Sequence, residues 1–129
     1  MMMLTNAMVS PTLPAVDLKR AKKFYEGILG LKVMMEDPSP GVLFQCGQGT
    51  FLYVYQRAAT KADHTVANFA VDNIEMEVKE LKGKGVKFEE YNLPGIKTID
   101  SIATMGTGKF AWFKDSEGNI LSIMNKMSM

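Results

Sequence analysis

The 129-residue sequence has little of what usually carries metal or covalent chemistry: it has one cysteine and one histidine. Cys46 has no second cysteine with which to form a disulfide inside the chain, which is typical of a reducing compartment and predicts a cytoplasmic location. We expect Cys46 to be a small buried strand residue rather than a nucleophile, because no activating histidine or basic residue stands beside it. His64 alone cannot form a metal site.

Excess charge and long apolar runs are also missing. A net charge of +1 gives no electrostatic reason to expect nucleic acid as a partner. No apolar run approaches the length of a membrane-spanning helix, so no membrane partner is predicted. Residues 1–8 lack the basic start of a signal peptide, and we expect a frayed N-terminus there.

The stretch from residue 13 to residue 33 has the pattern of a strand, a helix and a second strand. Asp17 is the expected N-cap of the helix, and Gly30 is expected to end it by entering the left-handed conformation. Apolar residues recur between them at spacings of three and four, which predicts one buried helix face. They are Leu18, Ala21, Phe24, Tyr25, Ile28 and Leu29.

The same pattern returns later in the chain, which indicates an internal repeat. Val71-Asp72 stands 55 residues after Val16-Asp17, and a second amphipathic helix runs from about residue 74 to residue 84. The last two strands of each half align at an offset of 69, so the second copy has about 14 extra residues, as 69 exceeds 55 by that number. We place them in a long loop, residues 92–108, and expect it to cover the rim of a binding site or a partner chain. The alternatives are that it caps the domain's own core or is disordered.

The remaining strands are predicted from alternating apolar residues bounded by turn residues. They cover residues 31–36, 42–46, 50–56, 64–71, 86–91, 109–114 and 120–125. The predicted organisation is one compact domain with a first unit at residues 9–57, a linker at 58–63 and a second unit at 64–126.

The repeated motifs resemble those of a known family. They are Val16-Asp17-Leu18, Phe24-Tyr25-Glu26, Leu29-Gly30-Leu31, Val71-Asp72-Asn73-Ile74, Gly85-Val86 and the run from Phe113 to Leu121. Over nearly the whole chain the sequence resembles the vicinal oxygen chelate superfamily, which includes glyoxalase I, bleomycin-resistance proteins and extradiol dioxygenases. The resemblance implies an α+β fold in which two tandem βαβββ units with Asp-capped helices form a cupped mixed sheet with the helices outside. It also implies a ligand or metal inside the cup and a homodimer.

Strand periodicity assigns side chains to the inside of this expected cup, because successive residues of a strand point to opposite faces. Leu52 and Val54 suit the face packed under a helix, which leaves Tyr53 and Tyr55 for the cup. The phase of the strand that contains Trp112 stays open, because Phe113 is beside it. The candidate ligand-binding residues are Tyr53, Tyr55, Trp112, Asn68, Ser122, Met124, Ser10 and Thr12.

The resemblance also implies one metal-ligand position on each of four strands, at Ser10, Tyr53, Val66 and Ser122. None of these has an imidazole or carboxylate, which divalent metals of this kind prefer, so we predict neither a metal nor another cofactor. No carboxylate pair for acid–base catalysis and no Ser-His-Asp set is placed on the inward faces, and no catalytic residue is assigned.

Three functions remain open at this point. The first is a metal-free protein whose apolar, aromatic cup binds a small organic molecule. The second is an uncharacterised enzyme of the lyase or isomerase type. The third is an interaction module whose cup is filled by its own side chains. The sequence favours the first, because metal-dependent chemistry lacks its ligands.

Overall fold

The structure is a computed structural model that describes residues 4–106 and 108–126, in which the chain forms two units that follow each other in sequence. The first unit contains β1 (Thr12–Ala15), α1 (Leu18–Lys22) continued by a π-helix (Lys23–Ile28), β2 (Lys32–Asp37), β3 (Gly41–Gln45) and β4 (Phe51–Gln56). The second unit contains β5 (Thr65–Val71), α2 (Ile74–Gly83), β6 (Asn92–Leu93), β7 (Ile96–Ile99), β8 (Ile102–Met105), β9 (Gly108–Lys114) and β10 (Ile120–Asn125). Of the expected frayed N-terminus, residues 1–3 lie outside the described part, and Leu4–Asn6 form an exposed 3-10 turn.

Each unit has one mixed sheet, as the α+β prediction requires. The first sheet has the order β1-β4-β3-β2 and the second the order β5-β10-β9-β8-β7-β6. The first and last strands of each unit are parallel neighbours, and the other neighbours are antiparallel. No helix among the described residues is long and apolar enough to cross a membrane.

Two predictions for the second unit are wrong. Residues 92–108 are not a loop, because β6, β7 and β8 extend the sheet beyond β9. Residues 86–91 are not a strand, since their pairing with β9 is limited to an isolated bridge between Phe88 and Phe113 and a hydrogen bond from the Glu89 N–H to the Trp112 carbonyl at 2.8 Å. The reason is competition for one position in the sheet: β8 pairs with the beginning of β9 and leaves residues 86–91 only its end.

The turn between β7 and β8 explains why the sequence did not predict this hairpin. Ile99 pairs with Ile102, so Asp100 and Ser101 form a two-residue hairpin turn, with φ angles of 51° and 75°. Two central residues with positive φ match a type I′ turn, which usually contains Asn-Gly. The sequence has no glycine at this turn, and its absence removed the usual signal for a hairpin.

The helix caps differ between the units. Asp17 caps α1 as predicted and accepts a hydrogen bond from the Arg20 N–H at 3.1 Å. The prediction of an Asp cap on α2 is wrong, since the cap is Asn73, which accepts from the Met76 N–H at 3.1 Å. Asp72 instead pairs with Lys126 at 3.3 Å.

The first helix therefore has one residue more between its cap and its terminal glycine than the second, from 17 to 30 against 73 to 85. The π-helix at Lys23–Ile28 accommodates this residue, because each π turn takes in one more residue than an α turn. Gly30 and Gly85 both have the positive φ expected after a helix, 75° and 94°.

Both helices cover the same core. Leu13 and Leu52 of the first sheet, Ile74 of α2 and Leu121 of the second sheet are each at most 1% exposed and belong to one hydrophobic cluster. The ring of Phe24, in the first helix, lies 6.4 Å from that of Phe113 in the second sheet. The two units thus share one core, and no helix among the described residues covers the opposite face of either sheet.

The turn after β9 joins the two units through polar contacts. We call the side chains of Asp115, Glu117 and Asn119 the clasp. Asp115 accepts a hydrogen bond from the Tyr25 hydroxyl at 2.6 Å, and the Asn119 amide donates to the Pro14 carbonyl at 2.9 Å. Burial, followed by the charge of Asp115, raises the pKa of Tyr25, so its hydroxyl stays a donor.

Glu117 is the charged member of the clasp. Its carboxylate accepts from the N–H groups of Val16 and Asp17 at 2.9 and 3.0 Å, and from Arg20 Nε and Nη2 at 2.7 and 2.9 Å. The hydrogen bond from Arg20 is the largest cause of a pKa of about 2 for Glu117. The clasp therefore fixes the second unit to the start of the first helix.

Candidate functional site

Each sheet has one face that turns away from the shared core. In β4, Leu52 and Val54 are buried in the core, as the alternation predicts, and Tyr53 and Tyr55 lie half-buried on the other side. In β9, Ala111 and Phe113 are buried, which settles the open phase of this strand and puts Trp112 on the side away from the core. We call these two uncovered sides the first and second open faces.

The first open face carries Tyr53 at its centre. Thr12 and Leu43 are its neighbours on β1 and β3. The Tyr53 ring lies across Gly41, where a Cβ atom would collide with the phenol oxygen. The Tyr53 hydroxyl lies 3.4 Å from Asp37 Oδ2, a long hydrogen bond. Glycine at position 41 thus allows the tyrosine to lie flat on the sheet.

The second open face carries a row of three side chains across three strands. Asn68 on β5, Ser122 on β10 and Trp112 on β9 are direct neighbours in the pairing registers. The Ser122 hydroxyl, in a residue only 4% exposed, donates to Asn68 Oδ1 at 2.6 Å. The row therefore combines a fixed polar pair with an aromatic ring.

Two further aromatic rings surround Trp112. The Tyr91 ring meets it edge to face at a centroid distance of 5.4 Å, and the Phe110 ring stacks on it at 6.2 Å and 18°. Sequence reasoning missed both residues. Phe110 could have been identified, because it lies two residues before Trp112 in the same strand and therefore on the same face. The position of Tyr91 depends on the path of residues 86–91, and the strand predicted there is wrong.

The structure separates the predicted site residues into two groups. The first sheet carries Tyr53, Tyr55 and Thr12. The second sheet carries the Asn68–Ser122–Trp112 row and, beside it, Met124, which is paired with Phe110. Ser10 is exposed just before β1. Among the described strands no pairing joins the two groups, and their role in binding stays a prediction. Asn68 also borders a groove of about 310 Å³ against the turn at Gly47–Gly49.

The four positions at which the resemblance implies metal ligands do not fit a divalent metal. Ser10, Tyr53, Val66 and Ser122 offer only hydroxyl or apolar groups, and the Ser122 hydroxyl is engaged by Asn68. Within residues 4–106 and 108–126, no three His, Cys, Asp or Glu side chains converge on one point. The His64 side chain is 73% exposed beside Asp63, at 3.9 Å.

Cys46 directly follows β3 and is half-buried beside the same groove, so the prediction of a buried strand residue is wrong. Burial raises the pKa of its thiol, which disfavours the nucleophilic thiolate.

The sequence matches the model of one protein family. The family model described as Glyoxalase/Bleomycin resistance protein/Dioxygenase superfamily matches residues 7–123. No curated protein sequence matches the chain.

Several solved structures share the fold at low sequence identity. The antibiotic-binding protein TnmS3 from Streptomyces sp. CB03234 has a TM-score of 0.71 and 17% identity, covering 98% of this chain and 100% of its own. Lactoylglutathione lyase from Agrobacterium tumefaciens has a TM-score of 0.69 and 19% identity, covering 93% of each chain. The fosfomycin resistance protein FosX from Listeria monocytogenes has a TM-score of 0.67 and 14% identity, covering 95% of this chain and 92% of its own. Such identities establish a common fold and leave ligand and activity to be argued from the residues.

Proposed function

Because this chain belongs to the glyoxalase/bleomycin resistance protein/dioxygenase superfamily, we propose that it binds a small planar organic molecule on its second open face, without a metal ion. The observation that carries this proposal is the cluster of Trp112, Phe110 and Tyr91 beside the Ser122–Asn68 pair. All three aromatic residues are half-buried, so their rings retain surface for a ligand.

The chemistry of this face suits such a ligand. Small-molecule sites are mostly apolar and aromatic, with a few polar groups that orient the ligand. Aromatic rings stack on planar molecules and bury a large area for little loss of side-chain freedom. The second open face offers aromatic rings and a polar pair that can orient the ligand. Its hydroxyl and amide groups do not suit the metal-dependent chemistry of other family members.

The proposed site is completed by a second copy of the chain, and the proposed cytoplasmic protein is a homodimer. The first open face exposes Met35, which is 54% exposed, beside half-buried Leu43 and Tyr53. Two uncovered faces on separate sheets of one chain can enclose a ligand when the first open face of one protomer covers the second open face of its partner. Tyr53 and Tyr55 would then line the opposite wall of the cup.

Trp112 provides the test, because it is the only tryptophan in the sequence. We expect the neutral dye N-phenyl-1-naphthylamine to bind saturably and to quench the emission of Trp112. Trp112→Leu should weaken binding, measured by the dye's own emission, about tenfold, in line with the loss of one aromatic contact of about 1.4 kcal/mol.

Met76→Gln is the matched control. Met76 is 67% exposed on α2, which packs on the core side of the sheets and away from the aromatic cluster, so its replacement should leave dye binding unchanged. The proposal fails if the dye does not bind saturably, or if both variants bind it as tightly as the wild type.

A further inference from the structure

We infer that the ligand of the second open face carries a neutral hydrogen-bond-accepting oxygen, such as a ketone or quinone carbonyl, and that the Asn68 amide recognises it. This inference rests on the proposed function, since it names the class of molecule that binds there. Ser122 acts as the positioning residue for Asn68.

The hydrogen bond between Ser122 and Asn68 determines what the amide presents to a ligand. The Ser122 hydroxyl donates to Asn68 Oδ1 at 2.6 Å, so the acceptor end of the amide is used inside the protein. Asn68 Nδ2 has two protons and makes no hydrogen bond within the described part of the chain. The exposed end of Asn68 is therefore a donor, and it requires an acceptor from the ligand.

Burial of Ser122 fixes this orientation. Ser122 is 4% exposed, and its other neighbour on the face is Trp112, which has no acceptor atom. A reversed Asn68 amide would leave the buried hydroxyl proton of Ser122 without an acceptor on this face, which is unfavourable. Ser122 thus prevents the Asn68 amide from turning its oxygen towards a ligand that would donate a hydrogen bond.

The distances favour a fused-ring molecule. Asn68 and Trp112 flank Ser122 on β5 and β9, so their backbones are two strand spacings apart, about 10 Å. A molecule of two or three fused rings that packs beside Trp112 extends over Ser122 and brings an oxygen on its edge to Asn68.

The charges on β9 favour a neutral acceptor over a carboxylate. Lys114, the next residue of β9 on this face, pairs with Glu89 at 3.7 Å, so its charge is compensated. Lys126, which lines the groove beside Asn68, likewise pairs with Asp72 at 3.3 Å. An amide donor whose neighbouring lysines in the described structure are both paired suits a carbonyl oxygen, whereas carboxylates are usually bound by arginine or lysine.

The test compares 9-fluorenone with fluorene, two tricyclic molecules of similar shape that differ in a carbonyl and a methylene group. Dissociation constants are measured by equilibrium dialysis for the wild type, Asn68→Ala, Ser122→Ala and Ser122→Thr. We expect the wild type to bind fluorenone about tenfold more tightly than fluorene, the effect of one good hydrogen bond. Asn68→Ala should bind the two compounds equally, with fluorene binding unchanged, which also shows that the variant is folded.

The serine variants separate positioning from general stability. Ser122→Ala frees the amide to rotate and should reduce the preference for fluorenone to about threefold or less, whereas Ser122→Thr keeps the hydroxyl and should keep the preference. Equal affinities in the wild type, or a preference that survives in Asn68→Ala, would overturn the inference and leave the binding site standing. Failure of both compounds to bind the wild type would overturn the proposed function together with this inference.

Discussion

Among the carboxyl groups of the described structure, Glu117 has the pKa that is shifted furthest from its usual value. Its side chain is 2% exposed and accepts four hydrogen bonds from the first unit. These bonds favour the charged form and lower its pKa from 4.5 to about 2, against the opposing effect of burial. The stability of the protein should therefore depend on pH through this residue.

We expect Glu117→Gln to lower the free energy of unfolding at pH 7 by about 2 kcal/mol. The full pKa shift corresponds to about 3 kcal/mol, and partial exposure of Arg20 weakens the pair. Because the folded pKa is depressed, the stabilisation is complete above the unfolded pKa and disappears as the pH falls from about 4.5 through about 2. The difference between wild type and variant should shrink over the same range in urea unfolding curves.

Glu80→Gln is the control for this prediction. Glu80 lies on the exposed side of α2, where Lys84 is 3.9 Å away, so its replacement should change stability by less than about 0.5 kcal/mol. A difference for Glu117→Gln that stays constant between pH 7 and about pH 3 would show that the charge of Glu117 contributes nothing.

At the residue scale, strand periodicity predicted that Tyr53 lies away from the core, between the buried Leu52 and Val54. Local motifs predicted the Asp17 cap and the terminal Gly30. The side on which Trp112 lies stayed open, because Phe113 beside it is equally apolar. Tyr91 and the contacts of Glu117 could not be found this way. The Glu117–Arg20 pair joins residues 97 positions apart, and no local pattern records such a contact.

At the scale of single elements, the first helix contains two glycines in opposite situations. Gly30 has a φ of +75°, which disfavours any residue with a Cβ atom. Gly27 is exposed within the π-helix, its φ is not positive, and a Cβ atom built on it has no neighbouring atom within 4 Å. One helix thus supplies both a glycine that is needed and one that is not.

We expect Gly27→Ala to stabilise the protein by about 0.5–1 kcal/mol, because alanine loses less backbone freedom on folding. Gly30→Ala should destabilise it by about 1 kcal/mol, because alanine is strained in the left-handed region. Thermal unfolding of both variants would measure the two effects in one helix. Destabilisation by Gly27→Ala would show instead that the π-helix itself requires glycine.

The elements were predictable where apolar periodicity and turn residues agree, as in β3, β4, β9 and β10. The prediction failed at residues 86–108, because two segments compete for the position beside β9. Local propensity cannot decide such a competition, since its outcome depends on the pairing of β8 with β9.

At the scale of the whole molecule, the two open faces remain apolar surface on a single chain. Exposed patches of this kind commonly mark an interface. We expect the wild type to sediment as a dimer, and Leu43→Lys on the first open face to raise the dimer dissociation constant at least tenfold, because it buries an unpaired charge in the interface.

Met76→Lys places the same charge on the exposed side of α2, outside both open faces, and should leave the dimer intact. A wild type that sediments as a monomer at high micromolar concentration would rule out the dimer. Equal effects of both lysine variants would show that the open faces are not the interface.

The clasp also bears on the order in which the protein is made and folded. Glu117 follows Val16 by 101 residues, so the start of α1 leaves the ribosome long before the carboxylate that completes it. At translation rates of about 5–20 residues per second, the nascent helix waits roughly 5–20 s with the N–H groups of Val16 and Asp17 still bound to water. The first unit therefore lacks its contacts with Glu117 throughout the synthesis of the second unit, and its side of the shared apolar core stays uncovered during that interval.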